Sequence, residues 1–395
     1  MPLRTNTRQD PPHVALLVET SLASGRDILR GIARYVRENQ PWLLYHEPRS
    51  LEDRPPSWLK GWRGHGIIAR VQTPAMARVI AQTRLPVVDV LGVVEGTGFP
   101  LVHVDDDATG TLAAEHLLDR GFRNFAYVGL KNENWSASRQ KAFTRVVDAK
   151  GFQVHVRNEQ RRDLDDQTWE VHQHKLTQWV ANLSRPVGVM VCSDQRGSLL
   201  LDACRRAGLR VPDEVAVIGV DNDEPLCDVC NPPLSSVWPG HAQIGYQAAA
   251  LLDRLIAGKT NASIRTLVPP LKIITRQSTD TLAVEDRVVR EALRVIREQA
   301  CRGTRIDEIA AAVSVSRSVL QRRFRAVLGR SINEELIAQR LKVARQLLLE
   351  TNLGLMEIAE RAGFRHQEYM GAVFAARLGV TPAVLRRRRE GGMRN

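Results

Sequence analysis

This sequence lacks long apolar runs. None of the apolar runs among its 395 residues approaches the ~20 residues that a membrane-spanning helix needs. Its beginning, MPLRTNTRQDPP, also lacks the apolar segment of a secretory signal. These two absences predict a soluble chain in the cytoplasm, with no membrane partner.

Cysteines are few. Five of them, an odd number, argue against a disulfide framework. Cys227 and Cys230 form a lone CxxC, whereas a structural zinc site needs four ligands, so a plain loop is expected there. The acidic run Asp105–Asp107 is interpreted as a helix cap with solvated charge, and His172 and His174 as surface residues. The sequence therefore predicts no metal site and no cofactor.

The signatures of common enzymes are missing as well. The chain contains no GxSxG, no GxxxxGK followed by Ser or Thr, no HExxH and no GxGxxG followed by an acidic residue. It is therefore not expected to be an enzyme. Its length predicts two or three domains.

Positive charge, in contrast, is plentiful and unevenly placed. The formal net charge is +12, and Glu285–Asn395 hold 22 Lys and Arg against 13 Asp and Glu, which accounts for +9 of it. Basic side chains that release counterions from DNA give sequence-independent affinity, although such a surface alone can also be merely solvated. The excess lies in the same part of the chain as the next two motifs.

Two helix-turn-helix patterns follow one another there, Ile306–Gly329 and Leu355–Gly379. Each has a short apolar-periodic helix, a tight turn and a second helix with basic and amide residues on one face. A helix of that kind fits the major groove of double-stranded DNA. A helix over Ile332–Glu350 is predicted to join the units and pack on both, which would place the recognition helices about 34 Å apart, one turn of DNA.

In the first unit, Ser316 is predicted to cap a recognition helix over Arg317–Val327. Its buried face is expected to comprise Val319, Leu320, Phe324 and Val327. Its exposed face supplies the DNA-contacting candidates Arg317, Ser318, Gln321, Arg322 and Arg325. Those near the start of the helix would reach base edges, and later ones would meet phosphates.

In the second unit, the recognition helix is expected over His366–Leu378, with Tyr369, Met370 and Phe374 buried. The DNA-contacting candidates are Arg365, His366, Gln367 and Glu368. Amides suit adenine, arginine suits guanine, and glutamate can accept a hydrogen bond from cytosine. The basic cluster Arg386–Arg389 either binds phosphate or is solvated.

The first 280 residues alternate between apolar strands and amphipathic helices. Candidate strands are His13–Glu19, Trp42–His46, Gly66–Ala69, Pro86–Val90, Asn124–Gly129, Gln153–Arg157, Gly188–Cys192 and Val215–Val220. Continuously apolar strands separated by helices predict parallel sheets covered on both faces. Breaks near Val104–Thr109, Asn231–Pro239 and Pro269–Ile274 predict two α/β lobes that exchange strands, with a ligand cleft at the carboxyl ends of strands.

Several segments resemble known families. HVDDDATGTLAAEHLLDRGFRNFAYVG, VIGVDNDE, PGHAQIGYQAAALLDRLIAG and LVPPLKIITRQST resemble the sensor of LacI-type regulators and sugar-binding periplasmic proteins. The tail resembles the AraC family through Ile358-Ala359, Ala362-Gly363-Phe364, Tyr369, Phe374, Gly379 and Thr381-Pro382. That order of sensor and tail, with Ser278–Asp280 between them, is similar to the XylR subfamily. Met370 and Ala376 depart from the AraC pattern, where an aromatic and a basic residue are usual.

This resemblance implies the domain boundaries. Residues 1–12 are expected to be a disordered N-terminus, and residues 13–280 a two-lobed α/β sensor of the type I periplasmic-binding-protein fold. Residues 281–395 are expected to be an all-α AraC-type domain with helix-turn-helix units at 306–329 and 355–379. A LacI-type headpiece before the sensor is expected to be missing.

Polar side chains at strand ends are the candidates for ligand binding, because planar Asp, Asn and Arg groups suit sugar hydroxyls. They are Glu19, Arg26, Arg139, Asp194, Asp221 and Asn222, with Trp135 as a stacking candidate. The resemblance implies ligand contact for Arg139, Asp194 and Asp221, and Arg26 matches an arginine of the XylR subfamily. The alternatives are that Asp194 caps the following helix, that Arg139 pairs locally on the surface, and that Trp135 packs in the core.

The expected function is a sugar-responsive transcription regulator that activates sugar catabolic genes. Its expected partners are double-stranded DNA, a small sugar effector, a second copy of the chain in a homodimer and, for an activator, RNA polymerase. The resemblance implies D-xylose, with arabinose and other pentoses left open. The alternatives are a repressor, a regulator that responds to a different sugar, and a non-regulatory sugar-binding protein.

Overall fold

The computed structural model describes residues 10–39, 41–51, 53–160, 169–259, 264–281, 284, 286–351 and 353–386. It divides into two compact units, Met1–Thr281 and Leu282–Asn395. Of the predicted disordered segment, residues 1–9 lie outside the described residues, as do residues 387–389 of the basic cluster. No helix in the described residues is long and apolar enough to cross a membrane.

In the first unit, the strands of the described residues form two six-stranded sheets. The first contains β1 (His13–Leu17), β2 (Leu43–His46), β3 (Gly66–Ala69), β4 (Val87–Asp89), β5 (Leu101–Val104) and β11 (Arg265–Val268). They lie in the order β11-β5-β4-β3-β1-β2, and all neighbours are parallel. The central strands β1 and β3 are almost wholly buried, as expected for a parallel sheet with both faces covered.

The second sheet contains β6 (Asn124–Leu130), β7 (Val154–Glu159), β8 (Val187–Val191), β9 (Val215–Val220), β10 (Ser235–Trp238) and β12 (Lys272–Ile274). Their order is β12-β10-β9-β8-β6-β7, and only the edge strand β12 is antiparallel to its neighbour. The expected architecture, two parallel sheets of the type I periplasmic-binding-protein fold, is confirmed.

Helices cover the faces of both sheets. They are α1 (Ala23–Glu38), α2 (Pro74–Gln82), α3 (Asp106–Leu118), α4 (Asn134–Asp148), α5 (Trp169–Ala181), α6 (Asp194–Arg206), α7 (Glu224–Val229) and α8 (His241–Ile256). Helices α1 and α8 pack together against the first sheet, and α3 packs with α4 against the second. We call each sheet with its helices a lobe: α1, α2 and α8 belong to the first lobe, and α3 to α7 to the second.

The chain passes between the lobes three times, after β5, after β10 and between β11 and β12. These are the three places where the sequence predicted breaks. At the third crossing, the segment LVPPLKIITRQST forms β11 in one sheet and β12 in the other, with Pro269 and Pro270 between them. Because proline lacks a backbone donor, the pair interrupts a strand at the crossing. The CxxC expected in a plain loop instead begins in helix α7, with both cysteines buried in the second lobe.

The described residues of the second unit form six α-helices: α9 (Arg287–Gln299), α10 (Ile306–Ala312), α11 (Arg317–Leu328), α12 (Ile332–Glu350), α13 (Leu355–Arg361) and α14 (Gln367–Leu378). The unit has two apolar cores. Helix α12 contributes Leu336 to the core around α10 and α11, and Leu341, Ala344 and Leu348 to the core around α13 and α14. The predicted role of this helix in packing on both helix-turn-helix units is thus confirmed.

Candidate ligand cleft and nucleic-acid interface

Arg139 is the most completely enclosed cation at the carboxyl end of the second sheet, with 3% of its surface exposed. It lies on α4, where its Nε donates to Asp106 Oδ1 at 2.7 Å and its Nη1 donates to the Cys192 carbonyl at 2.6 Å. Its guanidinium lies 4.9 Å from the ring centroid of Trp135. The interpretation of Arg139 as a surface residue with a local partner is therefore wrong, because its partners come from two other segments of the chain.

Asp106 corrects a second expectation. Asp105 caps α3 by accepting from the Ala108 amide at 2.9 Å, and Asp107 is exposed and paired with Arg145, as a cap with solvated charge would be. Asp106, however, is buried. Burial alone would raise its pKa, but the Arg139 guanidinium and His103 outweigh burial and hold the pKa below its usual value. A fixed carboxylate thus stands beside the fixed guanidinium.

Asp194 is fully buried at the first turn of α6. One carboxylate oxygen accepts from Ser236 Oγ at 2.7 Å, and the other accepts from the Asp223 amide at 2.8 Å. The helix-cap alternative is wrong, because the carboxylate bonds to these distant groups and the Ser193 side chain makes no cap hydrogen bond. Burial, reinforced by the charge of Asp221, raises the pKa of Asp194 to about 8. Asp194 holds together the loop after β9 and strand β10.

Asp221 and Asn222 follow β9 in a strained backbone, with φ of 109° and 50°. Such conformations cost energy in residues other than glycine and cluster at functional sites. Asp221 Oδ1 lies 3.2 Å from His241 Nε2, and Asn222 Oδ1 accepts from Arg276 Nη1 at 3.0 Å. Burial lowers the pKa of Arg139, but the charges of Asp106 and, after it, Asp221 outweigh burial and raise the pKa above its usual value.

Glu19 and two residues that the sequence reasoning missed line the facing edge of the first lobe. Glu19 follows β1 and is 1% exposed; its Oε1 accepts from Arg70, which follows β3. Gln72, two residues further, donates to Glu133 of the second lobe at 3.3 Å. Among the described residues, Glu19 Oε2, Arg70 Nε and Gln72 Oε1 are buried without a hydrogen-bond partner. The search for apolar runs did not select Arg70 and Gln72, although both lie within three residues of the end of strand β3.

Further contacts between described residues join the lobes across the cleft, in addition to the pair of Asp221 with His241 of α8. Besides the contact between Gln72 and Glu133, Asn134 Nδ2 donates to the Gly92 carbonyl at 2.6 Å. Arg26, a predicted ligand residue, has its guanidinium 3.7 Å from Asp223 and also donates to the Thr20 carbonyl at 2.8 Å. Trp135 donates its indole N–H to Glu133 Oε2 at 2.7 Å, so it lies next to one of these contacts.

His172, expected at the surface, is buried, whereas His174 is exposed as predicted. His172 Nε2 lies 2.9 Å from Glu159, which also accepts from Arg157 and Arg196. Burial opposes ionisation of Glu159, but His172 and Arg157 outweigh it and lower its pKa. In the described part of the chain, no group of three His, Cys, Asp or Glu side chains is arranged to hold a metal ion.

The first helix-turn-helix unit has the predicted geometry. Ser316 caps α11 by accepting from the Val319 amide at 3.4 Å, and Leu320 and Phe324 are fully buried. The predicted DNA-contacting residues are all exposed: Arg317, Ser318, Gln321, Arg322 and Arg325. Val327, expected in the buried stripe, is 43% exposed, and the neighbouring Leu328 packs against the core in its place.

The second unit buries Met370 and Phe374, and Met370 fills the position that is usually aromatic. Tyr369, predicted to be buried, is 49% exposed and contacts Phe364 edge-on. It faces outward because it lies about a quarter turn of helix from Met370. The predicted DNA-contacting residues are all exposed at the start of α14: Arg365, His366, Gln367 and Glu368. His366 is the N-cap rather than the first helical residue.

Comparisons with known proteins agree with this architecture. Models of the XylR N-terminal domain, a periplasmic binding protein-like domain and a helix-turn-helix domain match residues 13–104, 114–279 and 309–388. The chain is 32% identical over 379 residues to the xylose operon regulatory protein of Escherichia coli strain K12, covering 93% of this chain and 95% of that one. The corresponding protein of Haemophilus influenzae is 29% identical over 94% of this chain and 97% of its own.

A solved structure extends the comparison to the whole chain. The structure of the xylose-binding transcription activator XylR has 29% sequence identity and a TM-score of 0.77, over 96% of this chain and 98% of that one. The expected resemblance to the XylR subfamily, with a LacI-type sensor and an AraC-type tail, is confirmed. The chain belongs to the family of xylose operon regulatory proteins and is a transcription regulator with a helix-turn-helix domain.

Proposed function

We propose that the chain regulates transcription in response to a small sugar of the D-xylose type, which binds between the two lobes. Xylose is taken from the names of the relatives, and the cleft contains polar groups that can bind a sugar. The observation that carries the proposal is the set of buried polar atoms without partners, Glu19 Oε2, Arg70 Nε and Gln72 Oε1. Buried polar groups are nearly always hydrogen-bonded, so this edge of the first lobe can offer bonds to a hydroxylated ligand.

The second lobe would supply the opposite wall. The Arg139 guanidinium is held by Asp106 and by the Cys192 carbonyl, so it can present its remaining N–H groups without losing its orientation. Asp221 can accept from a sugar hydroxyl, and Trp135 offers an aromatic face. Asp194 would act indirectly, because both of its oxygens are already bonded to Ser236 and Asp223.

The lobes provide a route from ligand to output. A ligand that bonds Glu19 in one lobe and Asp221 in the other favours the closed arrangement, and a ligand shifts such an equilibrium only by its difference in affinity for the two states. We infer that closure changes a homodimer contact and thereby the presentation of the helix-turn-helix units to promoter DNA. As an activator, the bound dimer would recruit RNA polymerase, and its compartment would be the cytoplasm, where bacterial promoters are.

A two-part experiment tests the proposal. Thermal melting of the full chain with D-xylose, L-arabinose, D-ribose and D-glucose should raise the melting temperature for one of the pentoses and not for glucose. Promoter binding with and without that pentose should then differ. Asp221→Ala should abolish both effects, whereas Asp148→Ala, an exposed carboxylate at the end of α4 in the same lobe, should leave both intact.

The outcomes separate the alternatives. A melting shift without a change in DNA binding would support a sugar-binding protein without a regulatory response. Sugar that releases DNA instead of tightening its binding would indicate a repressor. A folded Asp221→Ala variant with a full sugar response would overturn the assignment of the cleft.

A further inference from the structure

The two recognition helices can be compared residue by residue. Leu320 and Phe324 are the buried pair of α11, and Met370 and Phe374 are the buried pair of α14. Each helix ends at a glycine in the left-handed conformation, Gly329 with φ 66° and Gly379 with φ 68°. Every residue of α11 therefore corresponds to the residue of α14 numbered 50 higher, and equivalent residues face the same way relative to their own core.

The charges on these equivalent faces differ. Helix α11 carries four arginines and no acidic residue, whereas α14 carries one arginine and one glutamate. Arg322 and Arg325 on the exposed face of α11 correspond to Ala372 and Ala375 on the exposed face of α14. The face of α11 that looks away from the core can thus reach phosphates over its whole length, and that of α14 cannot.

Ion pairs occur on both recognition helices. On α11, Arg317 lies 3.2 Å from Asp307 and Arg323 lies 2.8 Å from Asp286. Arg377, the single arginine of α14, lies 3.7 Å from Glu334, and Arg361 of the supporting helix bonds to Glu357 at 2.7 Å. In the first unit, no ion pair of Arg322 or Arg325 is found among the described residues, so both charges face solvent uncompensated. Among the described residues, arginines without an ion pair are therefore found on the recognition helix of the first unit and not on that of the second.

We propose that the two recognition helices divide the work of DNA binding: α11 supplies more of the salt-dependent affinity than α14, and α14 discriminates sequence. The inference rests on the proposed DNA-binding function. Arg322 and Arg325 neutralise phosphates. The second unit reads bases through the start of α14, where Gln367 suits adenine and Glu368 accepts from the cytosine amino group. Glu368 repels phosphates, which makes a mismatched site costly.

Counterion release sets the size of the effect. Each phosphate contact contributes about 0.9 to the slope of the logarithm of affinity against the logarithm of salt concentration. Two contacts therefore contribute about 1.8, so between 50 and 200 mM salt they account for about a tenfold loss of affinity. A change of slope of this size is large enough to be measured and assigned to one of the two units.

The experiment replaces arginine by alanine on the exposed face of α11 and alanine by arginine on the exposed face of α14. Three proteins are compared: the full chain, the double variant Arg322→Ala with Arg325→Ala, and the double variant Ala372→Arg with Ala375→Arg. Each is titrated, with the effector pentose, onto a duplex that the wild-type chain selects from a random pool. The first variant should lower the slope by about 2, and the second should raise it by a similar amount. Arg302→Ala removes an exposed cation elsewhere in the unit and should change the slope little. Circular dichroism melts check that all variants fold.

A second measurement addresses discrimination. Gln367→Ala with Glu368→Ala should leave the salt slope within experimental error while reducing the preference for the selected duplex over random duplex at least tenfold. An unchanged slope in the Arg322 and Arg325 variant, or an equal fall of slope in the Gln367 and Glu368 variant, would overturn the division of labour. Absence of any selected duplex would instead refute the proposed DNA-binding function.

Discussion

Arg139 owes its importance to its burial. A guanidinium that is 3% exposed is stable only because Asp106 and the Cys192 carbonyl replace its water. Removing one partner of a buried ion pair leaves the other charge uncompensated, which costs more than the pair contributes in total. The same residue therefore bears on the stability of the second lobe and on the wall of the cleft where we propose that the ligand binds.

We predict that Arg139→Ala lowers the free energy of unfolding by about 3–5 kcal/mol, because it strands the Asp106 carboxylate in the interior. Chemical denaturation of the full chain, followed by circular dichroism, measures this. Arg139→Lys keeps the charge but loses the planar fork, so it should retain more stability while still losing the sugar-induced melting shift.

The chain contains a matched control for this substitution. Arg145 and Asp107 join the same two helices as Arg139 and Asp106, with the same 2.7 Å separation, but both side chains are more than half exposed. Arg145→Ala should cost about 1 kcal/mol or less, since surface pairs contribute little. Equal losses from Arg139→Ala and Arg145→Ala would contradict the importance assigned to burial.

At this scale the sequence predicted where the candidate residues lie better than it predicted what they touch. Arg139, Asp194 and Asp221 were selected because they follow strands, and all three lie at the carboxyl edge of the second sheet. Their partners were out of reach, because Asp106 is 33 residues from Arg139 and Ser236 is 42 residues from Asp194. His172 was wrongly predicted at the surface for the same reason. Its neighbours in sequence are polar, and its buried partner Glu159 lies on a different element, strand β7.

Secondary structure elements were predicted most accurately where burial is continuous. Strands β3 and β9 have the predicted bounds, whereas β5 and β10 were missed. Strand β10, with sequence SSVW, contains two serines that no apolar run includes. Both serines are fully buried because their hydroxyls bond to groups distant in sequence, Asp194 and the Arg276 carbonyl. Periodicity cannot anticipate a buried polar pair of that kind.

The turns of the two helix-turn-helix units use different residues at their left-handed position. Both place a residue in the left-handed region, Ser314 with φ 56° in the first unit and Gly363 with φ 77° in the second. At Gly363 an added Cβ would lie 2.6 Å from Cys301 Cα, so the second turn needs glycine for space as well as for φ. The second turn thus packs tightly on the segment that follows α9.

We predict that Gly363→Ala destabilises the second unit by about 2–5 kcal/mol, the sum of left-handed strain and of overpacking against Cys301. Gly329→Ala is the matched control, because its φ is 66° but an added Cβ meets nothing within 4 Å. It should cost only about 1–2 kcal/mol. Thermal melts of the two variants compare them, and equal melting temperatures would show that the contact with Cys301 relaxes without cost.

The whole molecule contains separate apolar cores for sensing and for output. The sensor buries its residues around the two sheets, and the second unit has its own two cores. Sugar and DNA therefore act on different cores, and any communication between them must appear as a coupling free energy between two binding sites. The order of these units was predictable from sequence, because each has its own periodicity, whereas the coupling is not encoded in any local pattern.

Thermodynamic linkage makes that coupling measurable from either end. If the effector pentose tightens operator binding by a given factor, the operator must tighten pentose binding by the same factor, and typical couplings of 1–3 kcal/mol correspond to about 5–150-fold. Titrating pentose into the free chain and into the DNA-bound chain by calorimetry should return the factor found by titrating DNA with and without pentose. Asp221→Ala should bring both factors to one. The contrary outcome is a sugar effect on DNA binding with no reciprocal effect of DNA on sugar affinity. It would mean that the two titrations follow different assemblies, such as a monomer and a dimer. The switch would then act through assembly rather than through closure within one chain.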